Sequence, residues 1–258
     1  MRIVPFLITT AISTALVITL NTRLTIGGNE APAFGSFLSP QHGFWQNAEA
    51  VSESYTADLK FSQLNGKVDV YLDDRLVPHI FAEQENDAYF VQGFLHSKFR
   101  LWQMEFQAYA AAGRLSEILG NKDERILNFD RNMRRLGMVY AAEIALQQMN
   151  NDPVIKSQCD AYTAGVNAYI ETLTESTLPL EYKLIGYKPE KWNNLKTSLF
   201  LKYMSYDLAA HDDDFELTNA KSFFSADDFA KLFPAIQDSL DPIIPKGTIF
   251  EKQKVFPV

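Results

Sequence analysis

The sequence has little that would support several common kinds of fold or site. It contains one cysteine, Cys159, so an intrachain disulfide and a cysteine-based zinc site are both excluded. The 24 Lys and Arg against 32 Asp and Glu give a net charge of −8, which argues against a nucleic-acid binder. The four histidines include no closely spaced pair, and nucleophile-elbow, P-loop and dinucleotide-binding motifs are missing.

What the sequence does contain is ample apolar bulk in an ordinary globular composition. Hydrophobic residues make up 47% of the 258 residues and charged residues 22%, with 19 Phe, 11 Tyr and 3 Trp. These values exclude a disordered tail, a collagen-like repeat and a multispan membrane protein. The length permits one large domain or two small ones.

The N-terminus carries the longest uncharged segment, residues 3–20, which follows Arg2. A helix of that length measures roughly 27 Å, close to the roughly 30 Å hydrocarbon core of a bilayer. No clear cleavage site follows, so we interpret residues 1–22 as a signal anchor, with a cleaved signal peptide and a buried core helix as alternatives. We therefore expect a periplasmic protein tethered to the cytoplasmic membrane by residues 3–20, with residues 23–41 as a linker.

Two short segments after the linker have the pattern of a β-hairpin. Val68–Leu72 alternates in polarity as a strand does, Asp73–Arg75 predicts a turn, and Val77–Ala82 predicts the returning strand. Asp73 and Asp74 are expected there simply because aspartate side chains bond nearby backbone in turns. A two-stranded ribbon is not stable alone. We therefore predict that it joins a sheet supplied by something else.

Helical periodicity dominates the rest of the main body, residues 42–240. We predict that Asn86 caps the first helix and Gly113 ends it, and that Asp152 and Pro153 begin a later one. The predicted apolar faces and further helices are Val91–Tyr109, Phe129–Ile144, Ile155–Leu173, Asn194–Ala210 and Ala226–Phe233. Residues 241–258 are predicted to be an extended tail. The fold class is therefore α+β and mainly helical.

Few residues suggest chemistry on their own. Asp212–Asp214 with Glu216 is the densest acidic cluster, and its spacing fits either a solvated helix start or a cation site. Tyr206 and Ala210 lie one turn apart, where a large and a small residue could shape a pocket wall. Cys159 lies on an apolar helix face and is expected in the core rather than as a nucleophile. His96 and His79 are expected to be ordinary hydrogen-bonded histidines.

Five strings in a fixed order resemble the penicillin acylase family of N-terminal-nucleophile hydrolases. They are Val77–Ile80, Phe94–Glu105, Gly113–Gly120, Ala161–Ile170 and Leu178–Trp192. Two positions depart from the family pattern. Leu76 replaces a glycine, so that turn is expected to differ, and Phe99 replaces an aspartate, so an ion pair that uses it is absent.

The resemblance implies a precursor of an amide hydrolase that cuts itself into two chains. A new N-terminal serine on the second chain would be the nucleophile, and its own α-amine would be the general base. No Ser-Asn dipeptide, which begins that second chain, occurs here. The resemblance therefore identifies this sequence with the first chain, or alpha chain. That chain would be inactive alone, would carry no catalytic residue, and would be completed by a second chain into an αββα sandwich.

The same resemblance implies which residues of this chain contribute to binding. Tyr203, Tyr206 and Ala210 are the candidates for part of an acyl pocket. Glu216 matches a ligand of a structural calcium ion shared with the second chain. The implied substrates are acyl amides such as penicillins or acyl-homoserine lactones, and the sequence does not choose between them. A second hypothesis remains, a membrane-anchored helical binding module without chemistry of its own.

Overall fold

The computed structural model describes residues 3–26, 29–48, 55–120, 123–209, 213–234, 244 and 247–249. The chain divides into two compact units, residues 1–209 and residues 210–258, and each is described by itself. The predicted extended tail lies almost wholly outside the described residues. So do Ala210 and Asp212, which belong to the predicted pocket wall and acidic cluster.

The first unit opens with an exposed apolar helix. Helix α1, Ile3–Asn21, has no buried residue and is the one described helix long and apolar enough to cross a membrane, a property that a signal sequence shares. The segment that follows, predicted as a linker, contains short elements. They are the paired strands β1, Thr25–Ile26, and β2, Asn29–Glu30, and then α2, Phe34–Phe37. A 3₁₀ helix, Phe44–Asn47, lies at the start of the predicted main body.

The predicted hairpin is confirmed. Strand β3, Val68–Leu72, pairs antiparallel with β4, Pro78–Ala82, with Val70 opposite Ile80. In the part of the chain that the structure describes, these strands pair only with each other. The Asp73 Oδ1 atom accepts backbone N–H bonds from Arg75 at 2.9 Å and Val77 at 2.8 Å, as its place in a turn predicted.

Leu76 has a left-handed backbone conformation in that turn. Its φ angle is 60°, and among the described residues it is the only non-glycine residue with a positive φ. The leucine therefore bears the steric cost of its Cβ atom in a conformation that glycine adopts freely. That the turn differs from the one in the family stays a prediction.

The long helix α3, Glu85–Ala112, forms the centre of the first unit. It begins after Gln84, so the prediction that Asn86 caps it is wrong, and Asn86 instead donates to Ser157 Oγ at 2.6 Å. The buried Asp87 carboxylate accepts the backbone N–H groups of Asn65 and Gly66, which ties the loop before β3 to this helix. Gly113 ends the helix in the left-handed conformation, as predicted.

The predicted apolar face of α3 is buried at its two ends, Val91 and Tyr109, whereas between them the buried face is shifted toward neighbouring positions. Its buried positions include Phe90, Phe94, Ser97, Leu101 and Glu105, whereas Phe99, on the predicted face, is 37% exposed. A search for apolar positions misses Ser97 and Glu105 because both are polar. They can nevertheless be buried, because their polar atoms form hydrogen bonds inside the fold. Ser97, for example, donates to the Gly93 carbonyl at 2.9 Å.

Six further helices complete the first unit: α4, Leu115–Leu119; α5, Glu124–Arg135; α6, Met138–Asn151; α7, Pro153–Thr172; α8, Leu180–Ile185; and α9, Asn194–Ala209. The predicted continuous face from Phe129 to Ile144 is wrong, because Gly137 has a φ of 71° and separates α5 from α6. The Asp152 cap and first-turn Pro153 of α7 are confirmed.

Helices α3 and α7 approach each other closely at two glycines. A Cβ atom on Gly93 would lie 2.2 Å from the carbonyl oxygen of Tyr162, and one on Gly165 would lie 1.9 Å from that of Phe90. Both distances are far shorter than a real van der Waals contact. The main core is therefore built around this crossing, and the hairpin packs on it through Val68 and Ile80.

The second unit contains two described helices. They are α10, Asp214–Phe223, and α11, Ala226–Leu232, which matches the predicted Ala226–Phe233 helix within one residue. Ser225 caps α11 by accepting the backbone N–H of Asp228 at 3.2 Å. Neither helix has a buried residue.

Candidate functional site

The predicted pocket residues lie on helix α9. Tyr203 is half-buried and packs against the buried Leu199, Ala111 and Ala112. It also contacts a second buried cluster that includes Tyr109. Tyr206 is half-buried one turn further along the helix. Tyr203 is thus a packing residue at least in part, and Tyr206 is the freer candidate for a pocket wall.

A large cleft of the first unit lies elsewhere. It has a volume of about 760 Å³ and lies between residues 55–64, strand β3 and the first half of α3. Neither Tyr203 nor Tyr206 lines it. The role of both tyrosines in an acyl pocket therefore stays a prediction.

Glu216 is an exposed residue in the first turn of α10, in the second unit. Asp213 and Asp214 precede it, whereas Asp212 lies outside the described residues. The part of the chain that the structure describes contains no cluster of three or more side chains suited to a metal ion. Carboxylates are the right donors for calcium, but six to eight oxygens are needed. Glu216 could therefore supply only part of such a site.

Two residues that could have been reactive have ordinary partners. His96 Nδ1 lies 3.1 Å from the Tyr162 hydroxyl, as expected of a satisfied histidine, and burial lowers the pKa of His96. Burial and the neighbouring Asp160 carboxylate raise the pKa of the half-buried Cys159 thiol. A thiol with a raised pKa is a poor nucleophile, as predicted. The predicted core position is wrong, because Cys159 is only half-buried and is not among the buried core residues.

Glu105 is a buried polar residue of the first unit that was not among the predicted site residues. Its carboxylate is 1% exposed and accepts hydrogen bonds from three donors. These are the Tyr182 hydroxyl at 2.7 Å, the Glu190 backbone N–H at 2.8 Å and the Lys196 ammonium at 3.2 Å. Each donor comes from a different part of the chain after α7. Glu105 therefore joins α3 to α8, to the 187–193 loop and to α9.

Lys196 completes the charge balance of this centre. Its Nζ atom lies 3.2 Å from both a Glu105 and a Glu190 oxygen, and 5.7 Å from the centre of the Trp192 ring. Burial raises the pKa of Glu105 although its hydrogen bonds and Lys196 act in the other direction. For the less buried Glu190, desolvation is outweighed by the Tyr109 hydrogen bond and by Lys196, which lower its pKa.

Three tyrosines and an arginine extend this network. The Tyr109 and Tyr187 hydroxyls are hydrogen-bonded to each other, and burial raises the pKa of Tyr187 to about 12. Burial likewise raises the pKa values of Tyr109 and Tyr182. The Arg114 guanidinium lies 4.5 Å from the centre of the Tyr109 ring and pairs with Glu190 at 3.3 Å. All three phenols are therefore protonated donors at neutral pH.

The network positions other residues rather than reacting itself. Lys196 lies near the start of α9, the helix that carries Tyr203 and Tyr206. The sequence did offer a signal for Glu105, which lies between Met104 and Phe106 in its helix, but none for Lys196, whose neighbours include Asn194, Thr197 and Ser198. A charge in such a position needs a buried partner. The sequence could not show that each is the partner of the other.

Comparison with known proteins gives a consistent assignment. A family model described as penicillin amidase matches residues 67–245, more than half of the chain. The chain is 35% identical over 144 residues to the penicillin acylase 2 proenzyme of Pseudomonas sp. (strain SE83), covering 56% of this chain and 18% of that protein. It is 34% identical over 164 residues to the acyl-homoserine lactone acylase QuiP of Pseudomonas aeruginosa, covering 63% and 18%. The chain thus spans less than a fifth of these two relatives.

A solved structure gives the same fold. The chain resembles a thermostable penicillin G acylase from Alcaligenes faecalis with a TM-score of 0.58 and 18% identity. The match covers 71% of this chain and 99% of the solved chain. At this identity the likeness shows the fold alone.

Proposed function

Because this chain belongs to the penicillin amidase family, we propose that it is the first-chain part of an acyl-amide hydrolase completed by a second chain. One contrast in coverage carries the proposal. The chain accounts for 99% of one solved penicillin G acylase chain but only 18% of the penicillin acylase 2 proenzyme. A first chain released from a longer precursor is expected to match a solved first chain over its whole length and the precursor over only a small part.

The chemistry would then come from the second chain. Its N-terminal serine would attack the acyl carbon of a linear amide, with the α-amine of the same serine taking the proton. This chain would hold the acyl group, with Tyr206 and Ala210 in the wall of the pocket and Tyr203 behind them. One added or missing methylene in such a pocket changes binding by about 1–3 kcal/mol. The substrates would be penicillins, acyl-homoserine lactones or related acyl amides.

Two further features belong to the same proposal. Glu216 would supply one oxygen ligand to a structural calcium ion, with the remaining ligands coming from the second chain. Helix α1 would tether the protein to the cytoplasmic membrane with the body in the periplasm. The uncharged run of residues 3–20 and the complete exposure of α1 support the tether. Within the described residues no further strand pairs with the outer edges of the hairpin, which supports a second chain that extends the sheet.

Co-purification tests the proposal. A tag on this chain in its native host should recover a second polypeptide from the same open reading frame, with serine as its first residue. The complex should hydrolyse a phenylacetyl or acyl-homoserine lactone amide, and the 258-residue chain alone should not. Turnover by the isolated chain would contradict the proposal. A stable, inactive monomer with no second polypeptide would favour the helical binding module.

A further inference from the structure

A cluster of aromatic residues lies at the C-terminal end of α1. We call Phe34, Phe37, Phe44 and Trp45 the aromatic collar. Helix α2, which contains the first two, packs against the end of α1. A Cβ atom on Gly35 would lie only 3.3 Å from the Leu20 carbonyl oxygen. Residues 31–48, which contain the collar, have no Asp, Glu, Lys or Arg.

Three rings of the collar contact one another, and the Trp45 ring is partly open to solvent. The Phe37 and Phe44 ring centres are 5.3 Å apart, and those of Phe44 and Trp45 are 4.2 Å apart. Trp45 is 56% exposed and Leu38 is 47% exposed. The Trp45 indole N–H donates to the Leu38 carbonyl at 3.2 Å, so the polar atom of the ring has a partner.

Polar contacts fasten the collar to the body of the first unit. The Lys183 ammonium donates to the Gly43 and Ser176 carbonyls at 3.0 and 2.8 Å and to the Asn47 amide oxygen at 2.8 Å. The Asn47 side chain in turn donates to the Leu178 carbonyl at 2.8 Å. The collar therefore cannot swing freely as part of a flexible linker. Its position relative to α8 is set by these bonds.

We propose that the aromatic collar lies in the headgroup region of the lipid bilayer where α1 leaves the membrane. The inference rests on the proposed tether and follows from length. The 19 residues of α1 reach about 28 Å, so Leu20 and Asn21 stand at the boundary of a roughly 30 Å hydrocarbon core. Gly35 of α2 lies against these two residues, so α2 with Phe34 and Phe37 stands at about the same depth. The ring contacts of Phe44 and Trp45 connect them to Phe37. Trp and other aromatic residues are favoured there because one side of the ring is apolar and the other is wet.

The collar would fix how the body stands on the membrane. Helix α8, which packs against the 3₁₀ helix of the collar, exposes Leu180 and Leu184 one turn apart, at 42% and 48%. With the collar seated in the headgroups and Lys183 fastening it to the body, α8 would lie near the bilayer surface. The body would then have one orientation relative to the membrane, rather than the variable orientation that a flexible linker allows.

Tryptophan quenching tests the inference on the full chain reconstituted into phospholipid vesicles. Lipids brominated near the headgroup or near the chain end quench tryptophan according to its depth. The control is Trp45→Phe, which keeps an aromatic ring and leaves the emission of Trp102 and Trp192. We expect the headgroup-brominated lipid to quench the wild type more than the chain-end-brominated lipid, and this depth-dependent component to be lost in Trp45→Phe.

The possible outcomes distinguish a failure of the collar proposal from a failure of the proposed membrane tether. Resistance of the chain to alkaline carbonate extraction reports α1 insertion independently of tryptophan. An inserted chain with equal quenching in wild type and Trp45→Phe overturns the collar and leaves the tether intact. A Trp45 emission that is blue-shifted but unquenched shows that a polypeptide covers the ring, which also overturns it. A chain released by carbonate overturns the tether, and the collar with it.

Discussion

The Lys196 Nζ atom lies 3.2 Å from the Glu105 Oε1 atom, and both side chains are almost completely enclosed by the first unit. The pair joins the middle of α3 to the start of α9 across 91 residues of sequence. Three of the five strings that carry the family resemblance meet around it, through Glu105, Arg114 and the Tyr182–Glu190 segment. Three strings that lie far apart in the sequence are thus joined by one hydrogen-bonded network.

Removing one member of this pair should be costly. We expect Lys196→Met to lower the free energy of unfolding by about 3 kcal/mol, because Glu105 keeps a buried charge without its cation. Adding Glu105→Gln to that variant should restore part of the loss. Urea unfolding of the two single variants and the double variant measures the coupling. Additive effects would show that the two groups do not interact.

The loss of unfolding free energy in Lys196→Met should depend on pH. Burial raises the pKa of Glu105, so the folded state binds its proton more readily than the unfolded state does. The stability linked to this group is present below the ordinary carboxyl pKa and is lost as pH rises through the folded value. Taking away Lys196 strengthens this effect. The deficit of Lys196→Met should therefore shrink as pH falls from 7 toward about 4.5. A pH-independent deficit would contradict the assignment.

The α3–α7 crossing should not tolerate a methyl group. We expect Gly93→Ala and Gly165→Ala each to lower the free energy of unfolding by about 3 kcal/mol, since the added Cβ would overlap a backbone carbonyl that cannot move alone. The intrinsic helix preference for alanine over glycine, about 1 kcal/mol, works in the opposite direction. The exposed α3 position Gln103→Ala is the control and should change little. A stabilised glycine variant in thermal melting would refute the close approach.

Leu76→Gly should stabilise the hairpin. The left-handed conformation costs a leucine about 1–2 kcal/mol, and glycine adopts it without strain. The greater freedom of glycine in the unfolded chain offsets part of this, so a gain of about 0.5–1 kcal/mol is expected. Asp74→Gly in the same turn is the control, and it should destabilise because Asp74 has no positive φ. Chemical denaturation measures the change in the free energy of unfolding of each variant, which should be positive for Leu76→Gly and negative for Asp74→Gly.

Substitutions of Tyr203 and Tyr206 should have different effects, the first on stability and the second on substrate specificity. Tyr203→Ala removes a ring packed against Leu199 and Ala112, and should lower the free energy of unfolding by about 2 kcal/mol. Tyr206→Ala should leave stability nearly unchanged. In the assembled two-chain enzyme, it should shift the preference toward longer acyl groups by at least about tenfold, because the lost ring frees more space than the single methylene that already has an effect of that size. An unchanged ratio of kcat/KM values for short and long acyl amides would remove Tyr206 from the pocket.

Local signals in the sequence predicted much of the first unit. Alternating polarity predicted the β3–β4 hairpin, and the Asp152–Pro153 and Gly113 signals located helix ends, because these features depend on neighbouring residues only. The Gln84 cap of α3 was missed because it makes no side-chain bond that a pattern could reveal. The break at Gly137 was missed because the apolar spacing continues across it.

By itself, the sequence determined the family, the mainly helical class and the apolar character of residues 3–20, since ordered motifs and local composition need no partner to be recognised. Only the tertiary structure decided which polar residues are buried and what they bind. Glu105 forms an ion pair with Lys196, and Gly93 lies against the Tyr162 carbonyl, although each pair is far apart in the sequence. Burial of a charge or a bare backbone is favourable only when its distant partner is in place, and no local pattern records that partner.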